Sequence, residues 1–426
     1  MAFSYSSSLK FLYGLQKHGI KLGLETITGM LAKLGRPQDR YRTVHIGGTN
    51  GKGSTAVMTA AILQAAGYRV GLYTSPHLTD FRERIRVNDD PIPEDSVTEL
   101  AERLQDAAGV SLRPTFFEFT TALALQFFAD SQVEIVVLEV GMGGRFDATN
   151  VVVPLVSVIT NVALDHEEYL GHTLGAIAFE KAGIIKRGVP VVVGRLEPEA
   201  AEVIQRIVSE QTAPLYRLNV DFLAEGTIRE RFRYQGLRGA YGNLSCPLDG
   251  AHQLDNAACA LALLELASEK GIRVSEESVR AGLRSVYWEG RLEVVDHHPT
   301  LLLDGAHNPA AAKVVATYLA AYRRDHPRSR ILLVIGMMRD KDREGFFRAI
   351  LPTVDEVIVT QANMARAATV EELSSSLGEQ SDSLHVASHP ADALALARRL
   401  ASPEDLICVT GSLMLVGEVK ALLRGC

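Results

Sequence analysis

Nowhere do the apolar residues of this chain run on for the ~18 positions that a membrane-spanning helix needs, so no span is expected. The opening stretch MAFSYSSSLKFLYGL also lacks the charged start and small-residue cleavage site of a secretory signal, which makes the cytoplasm the expected compartment. Cysteine is scarce. Cys246, Cys259, Cys408 and Cys426 lie far apart with no Cys-x-x-Cys pair, which argues against a zinc knuckle or a disulfide framework and for a reducing environment. There is no surplus of positive charge: 44 Lys and Arg against 51 Asp and Glu leave a net charge of -7. A broad nucleic-acid surface is therefore not expected, although a local basic groove for a small acidic ligand is compatible with this balance. Internal repeats and low-complexity tracts are also lacking.

What is present is an ordinary globular composition, 47% apolar and 22% charged over 426 residues, enough for about two to three domains. From Val44 to about Val220, short β-branched runs (TVHIG, YRVGLYTS, VEIVVLEVG, PLVSVITNV, VPVVVG) alternate with longer helical patterns. That alternation predicts a parallel sheet with crossover helices, and runs such as VEIVVLEV, apolar on both faces, predict central strands covered on both sides. Residues 221–247 are more polar and richer in glycine, and predict antiparallel strands. The strand-helix alternation resumes at TLLLDGAH and continues to the end. The expected class is α/β: a P-loop mononucleotide-binding parallel-sheet domain over 1–290, a linker at 291–298, and a smaller Rossmann-like α/β domain over 299–426.

The segment TVHIGGTNGKGSTAVMTAAILQAAG reads as a strand, a glycine-dense turn with one lysine, and a helix. Glycines let a backbone wrap a phosphate, the amides at a helix start donate to its oxygens, and Lys52 adds a point charge. The pattern is irregular, because Gly53 stands where Ser or Thr normally follows the lysine and only three residues separate Gly47 from Gly51. The expected phosphate contacts are Thr49, Asn50, Gly51, Lys52, Gly53 and Ser54. Glu139 closes the apolar strand VEIVVLEV, and the carboxyl end of a buried parallel strand is where such sheets bind ligands.

These motifs come in a fixed order: GTNGKGS, GLYTSPHL, LEVGMGGRFDATN, ALDHEEYLGHT, EKAGIIK and LLLDGAHNP. Together they resemble the folylpolyglutamate synthase and dihydrofolate synthase branch of the Mur ligase superfamily, over nearly the whole chain. The resemblance implies an ATP-dependent joining of L-glutamate to a carboxylate through an acyl phosphate. It implies two Mg²⁺ sites, with Mn²⁺ able to substitute. Ser75 and Glu139 would serve the first, and His166 with Lys181 the second, Lys181 as a carbamylated lysine; on the residues alone, Lys181 reads equally as a helical lysine paired with a carboxylate. Asn256, Arg291 and Asp304 match the family's nucleotide contacts, and His307 is implied in positioning substrate or intermediate. The implied catalytic residues are Lys52, Lys181 and His307.

The pieces Leu22-Gly23-Leu24, Thr115-Phe116-Phe117-Glu118 and Phe146-Asp147-Ala148 resemble the dihydropteroate-contacting segments of bifunctional bacterial members. Lys21 departs from them, standing where some members carry Asp. Phe116 and Phe117 are of a kind that either flanks a pterin ring or packs a core. The implied partners are dihydropteroate, reduced folates and glutamate, with a monomeric chain. Folylpolyglutamate synthase activity alone is the narrower alternative, and a nucleotide switch without ligation the one from another class. A UDP-muramyl-peptide ligase is disfavoured, because only about 43 residues precede the phosphate loop and a uridine-binding domain would need more.

Overall fold

The structure, a computed structural model, describes residues 4–19, 21–109, 111–377 and 383–425; Cys426 lies outside them. The chain divides into two compact units. The first takes residues up to 162, then 172–247 and 253–286. The second takes 163–171, 248–252 and 287 onward.

The first unit is built on an eight-stranded sheet of β1 Arg42–Gly47, β2 Val70–Tyr73, β3 Ile85–Val87, β4 Asp90–Pro91, β5 Ile135–Glu139, β6 Ser157–Asn161, β7 Val191–Arg195 and β8 Leu215–Arg217. Their order is β4-β3-β2-β5-β1-β6-β7-β8, parallel except where β3 and β4 turn back antiparallel at one edge. Every residue of β5 is buried, as its two-sided apolar pattern predicts. Because β1 pairs with β5 on one side and β6 on the other, the carboxyl ends of these three strands come out side by side. The register sets Ile46 opposite Glu139 and Gly47 opposite Ile159. This is the point at which the connections of such a sheet diverge and ligands bind.

The helix Lys52–Ala65 following β1 is buried from Gly53 to Leu63, so it behaves as a core element rather than an amphipathic cover. Residues 221–247 form the expected antiparallel sheet, β9 Leu223–Thr227, β10 Arg231–Gln235 and β11 Ala240–Leu244.

The second unit carries a six-stranded sheet in the order β12-β13-β17-β14-β15-β16: β12 Glu293–His297, β13 Thr300–Leu303, β14 Ile331–Ile335, β15 Glu356–Val359, β16 Leu384–Val386 and β17 Leu406–Thr410. All its pairs are parallel but β12 with β13. Here the expectation needs correcting. The segment 291–298, expected as a linker, is mostly the edge strand β12, because Glu-Val-Val-Asp-His reaches back to pair with β13 across a tight turn. Among the described residues no helix is long and apolar enough to cross a membrane.

Candidate active site

In the first unit the turn after β1 is held from below by β6. The Thr49 amide donates to the Asn161 carbonyl (3.0 Å) and the Asn50 amide to Asn161 Oδ1 (2.9 Å), while Asn161 Nδ2 and Thr160 Oγ1 donate back to the Asn50 carbonyl at 2.9 and 2.7 Å. Gly48 and Gly51 adopt φ of +138° and +82°. A Cβ on Gly48 would lie 2.0 Å from Thr160 Oγ1, and one on Gly51 2.3 Å from Asn256 Oδ1, so both positions need the missing side chain as well as the left-handed backbone. Gly51 is the N-cap of the helix Lys52–Ala65, and no side chain caps it. The first intrahelical bond runs from the Thr55 amide to the Gly51 carbonyl at 3.0 Å, so the Gly53 and Ser54 amides precede the ladder at the positive end of the helix. Lys52 Nζ folds onto the Thr49 carbonyl (3.0 Å), and Lys181 Nζ, on the helix Leu174–Ala182 and 3% exposed, donates to the Gly48 carbonyl (2.9 Å). Two lysines, a helix start and Asn256 thus meet at one loop.

Beside it, at the end of β5, the buried Glu139 carboxylate accepts the Ser75 amide through Oε2 at 3.0 Å. The structure thus brings together the two residues implied at the first metal site. A buried carboxylate at a strand end is a hard oxygen donor suited to Mg²⁺ or Mn²⁺. Close by lies a residue that the motifs did not flag. Arg84 is buried, donates through Nε to His77 Nδ1 (2.7 Å), lies 5.3 Å from the Phe116 ring centre, and forms no ion pair among the described residues. Burial, and then the Arg84 charge, lower the His77 pKa to about 4, so this ring is a neutral acceptor.

The segments assigned to dihydropteroate all lie in this unit. Leu22 is exposed, Gly23 and Leu24 lead into the helix Glu25–Lys33, and Lys21 donates to the Arg113 carbonyl. Thr115 caps the helix Phe116–Asp130 in a reciprocal pair: the Glu118 amide donates to Thr115 Oγ1 (3.2 Å) and the Thr115 amide to Glu118 Oε2 (2.8 Å). Phe116 stacks on Tyr13 at 5.8 Å, and Phe117 lies 6.1 Å from Tyr73, both packed against the core. Phe146 lies under the Arg145 guanidinium, 4.2 Å from its carbon. Asp147 accepts from the Thr149 and Met142 amides (3.0 and 2.9 Å) just before the buried Ala148. Burial pushes the Asp147 carboxyl up against the pull of these bonds.

The second unit gathers a different set. Asp304, at the end of β13, is buried and accepts the Leu292 and Ala306 amides, each at 2.8 Å; burial raises its carboxyl while the Arg291 charge and the amides draw it down. Arg291 reaches past Gly305, where an added Cβ would meet its Nη1 at 2.7 Å. His307 turns Nδ1 to the Gly305 carbonyl (2.9 Å) and Nε2 to Asp165 Oδ2 (3.4 Å).

His166 sits on the turn 163–171 with a left-handed φ of 52°. Its neighbour Asp165 is the hub that sequence reasoning missed. Its two carboxylate oxygens take the Lys341 ammonium (2.7 Å), the Asn308 amide group (3.0 Å) and the His166 backbone amide (2.9 Å). Burial alone would raise the Asp165 carboxyl, but His307, His166 and Lys341 hold it well below the ordinary carboxylate range. Lys341 Nζ also stands 3.3 Å from His166 Nε2. The available signal was RDKD, a charged cluster directly after the apolar strand ILLVIGMM. The lone pair that His166 turns to a cation is the donor a divalent metal would use, so this residue also fits. Among the described residues, no three His, Cys, Asp or Glu side chains are grouped as metal ligands.

Residues 46–264 match the Mur ligase middle domain, and 290–413 the glutamate ligase domain of Mur ligases. The chain is 34% identical to the dihydrofolate synthase/folylpolyglutamate synthase of Bacillus subtilis (strain 168), covering 100% of both chains. It is similar to Escherichia coli FolC solved in complex with DHPP and ADP, with 36% identity, a TM-score of 0.91, and 100% and 98% of the two chains covered. A bifunctional folylpolyglutamate synthase/dihydrofolate synthase solved with Mn, AMPPNP and L-glutamate bound gives 33% identity and a TM-score of 0.89 over 100% of both chains.

Proposed function

The chain belongs to the dihydrofolate synthase/folylpolyglutamate synthase family of Mur ligases, and from that premise we propose that it ligates L-glutamate to two acceptors, using ATP. The acceptors are the carboxylate of dihydropteroate and the γ-carboxylate of reduced folate glutamates. The observation that carries this reading is the loop at Gly47–Ser54, where a helix start, Lys52 and Lys181 converge next to the Glu139 carboxylate.

In the proposed reaction the acceptor carboxylate takes the γ-phosphoryl group of ATP and ADP leaves. The glutamate amine then attacks the acyl carbon, forming the amide, expelling phosphate and giving up a proton. The loop amides and Lys52 hold the phosphates and offset the charge that builds on the transferred group. Glu139 and Ser75 would hold the first divalent ion and His166 with Lys181 the second, which when bound supply Lewis acidity at the phosphoryl oxygens. Mg²⁺ is the proposed ion, and Lys181 is proposed to carry a carbamate. An intact mass under non-acidic conditions without the added carboxyl group refutes that modification. Asn256, Arg291 and Asp304 are proposed to bind the nucleotide, and His307 to position the substrate. Arg84, whose carbonyl accepts the Thr74 amide and whose buried side chain forms no ion pair among the described residues, suits an anionic substrate group.

Residues 22–24, 115–118 and 146–148 are proposed to line the dihydropteroate site. Part of their geometry is also structural: Thr115 and Glu118 cap a helix, and Asp147 organises a turn. The proposed domains are 1–290 and 299–426. The proposed compartment is the cytoplasm, in keeping with Cys246, Cys259 and Cys408, which are buried and unbridged, and the proposed state is a monomer. The test of bifunctionality compares dihydropteroate with tetrahydrofolate monoglutamate as acceptors. Glutamate incorporation into both is expected, and incorporation into the folate alone refutes the dihydrofolate synthase half.

A further inference from the structure

His166 holds a backbone conformation that costs a non-glycine residue free energy and persists only where its surroundings impose it. The imposing group is Asp165. One of its oxygens takes the His166 amide and the Lys341 ammonium, the other the Asn308 side-chain amide, with His307 Nε2 at 3.4 Å. All of these groups belong to the second unit, and they tie the turn 163–171 to the loops after β13 and β14 that carry His307 and Lys341. Asp340 Oδ2 stands farther off, 3.8 Å from the same ammonium.

The position of that ammonium is informative. An ammonium has donors only, so at 3.3 Å from His166 Nε2 it faces that nitrogen as a donor and bonds to it only while the nitrogen carries no proton. Nε2 is thus the ring nitrogen at which the Lys341 ammonium and a metal ion would meet. Lys341 lies between a carboxylate and an imidazole, a pair of groups that also suits a divalent cation, with its side chain only 8% exposed. A metal ion bound to Nε2 at ordinary coordination distance would fall on the path of the Lys341 proton and a few ångströms from its charge. Both cannot hold the same lone pair.

We infer that Lys341 is a built-in competitor of the divalent ion at His166: its ammonium occupies the Nε2 lone pair, and the metal binds there only by displacing it. Lys341 is on this account a positioning residue, tethered by Asp165 so that it parks on His166 and can withdraw while keeping its carboxylate partner. The inference rests on the reading of His166 as a metal ligand.

The test is Mn²⁺ titration of the full-length chain with AMPPNP, following the electron paramagnetic resonance signal of free aqueous Mn²⁺. Lys341→Met alone would leave the Asp165 carboxylate without its cation and able to attract metal itself, so the decisive comparison is the wild type against Asp165→Asn/Lys341→Met, which removes the tethered ammonium and its carboxylate together and leaves the local net charge unchanged. The double variant is expected to bind its second Mn²⁺ roughly tenfold more tightly than the wild type, the order of effect of freeing one ligand from a competing cation. Equal or weaker binding in the double variant, with both proteins melting cooperatively, overturns the competition. His166→Ala is the separate control. It should abolish the second Mn²⁺ site, and retention of both sites refutes the ligand reading and the inference that depends on it.

Discussion

Gly51 joins a sequence signal to a structural reason. A glycine-dense turn before a helix predicts a left-handed position, and φ of +82° is found there, but the closeness of Asn256, which denies even a methyl group any room, was not legible. That contact depends on a helix some 200 residues later in the chain. Gly51→Ala is expected to raise the KM for ATP about tenfold, the equivalent of ~1.4 kcal/mol of lost binding, with little loss of cooperative unfolding. An unchanged KM contradicts the role given to this turn. Lys52→Ala and Glu139→Ala are expected to abolish ligation while the chain still unfolds cooperatively, since the proposed roles of both side chains are with phosphate and metal rather than in packing. Near-normal turnover in either removes that residue from the site. Asp165, Lys341 and Arg84 were not singled out, because their meaning lies in partners: a lone lysine in RDKD is an ordinary surface charge until Asp165 is found 2.7 Å away.

At the scale of elements, the strands were legible where both faces are apolar. VEIVVLEV gives β5, and because it is parallel to β1 its final Glu139 had to emerge beside the phosphate loop. β12 was missed because its alternation is weak and its residues half polar, as suits an edge strand with one free side. The start of the helix Phe116–Asp130 carries a double meaning. Thr115 and Glu118 match a substrate-contacting segment and also form a reciprocal cap. Thr115→Val is therefore expected to cost about 1 kcal/mol of stability in urea unfolding, apart from any effect on the acceptor KM. A variant with full stability and a raised KM shows that the cap contributes little and the substrate role dominates.

For the molecule as a whole, stability should depend on acid through groups buried without charge. His45 lies inside the first unit, bonded through Nε2 to Thr149 Oγ1 at 2.8 Å; burial, and secondarily Lys186, lowers its pKa from 6.5 to about 3. The unfolded chain takes up a proton near pH 6.5 that the folded one refuses, so this contribution is complete above that pH and is lost as the pH falls toward about 3. From pH 7 to pH 5 it amounts to about 2 kcal/mol. His45→Gln should lose correspondingly less over that interval; an equal loss assigns the acid sensitivity elsewhere. The order of the six motifs made the two-part α/β organisation and the ligase family readable in advance, because those motifs bear the chemistry. The inclusion of residues 163–171 in the second unit was not, since it depends on Asp165 finding Asn308 and Lys341.

The central claim is that ATP is consumed only to join an amino acid to a carboxylate. Phosphate release from ATP should be measured with dihydropteroate and L-glutamate together and with each left out in turn. The account predicts sustained release only when both are present, in step with the amide formed; release that continues without either one contradicts it.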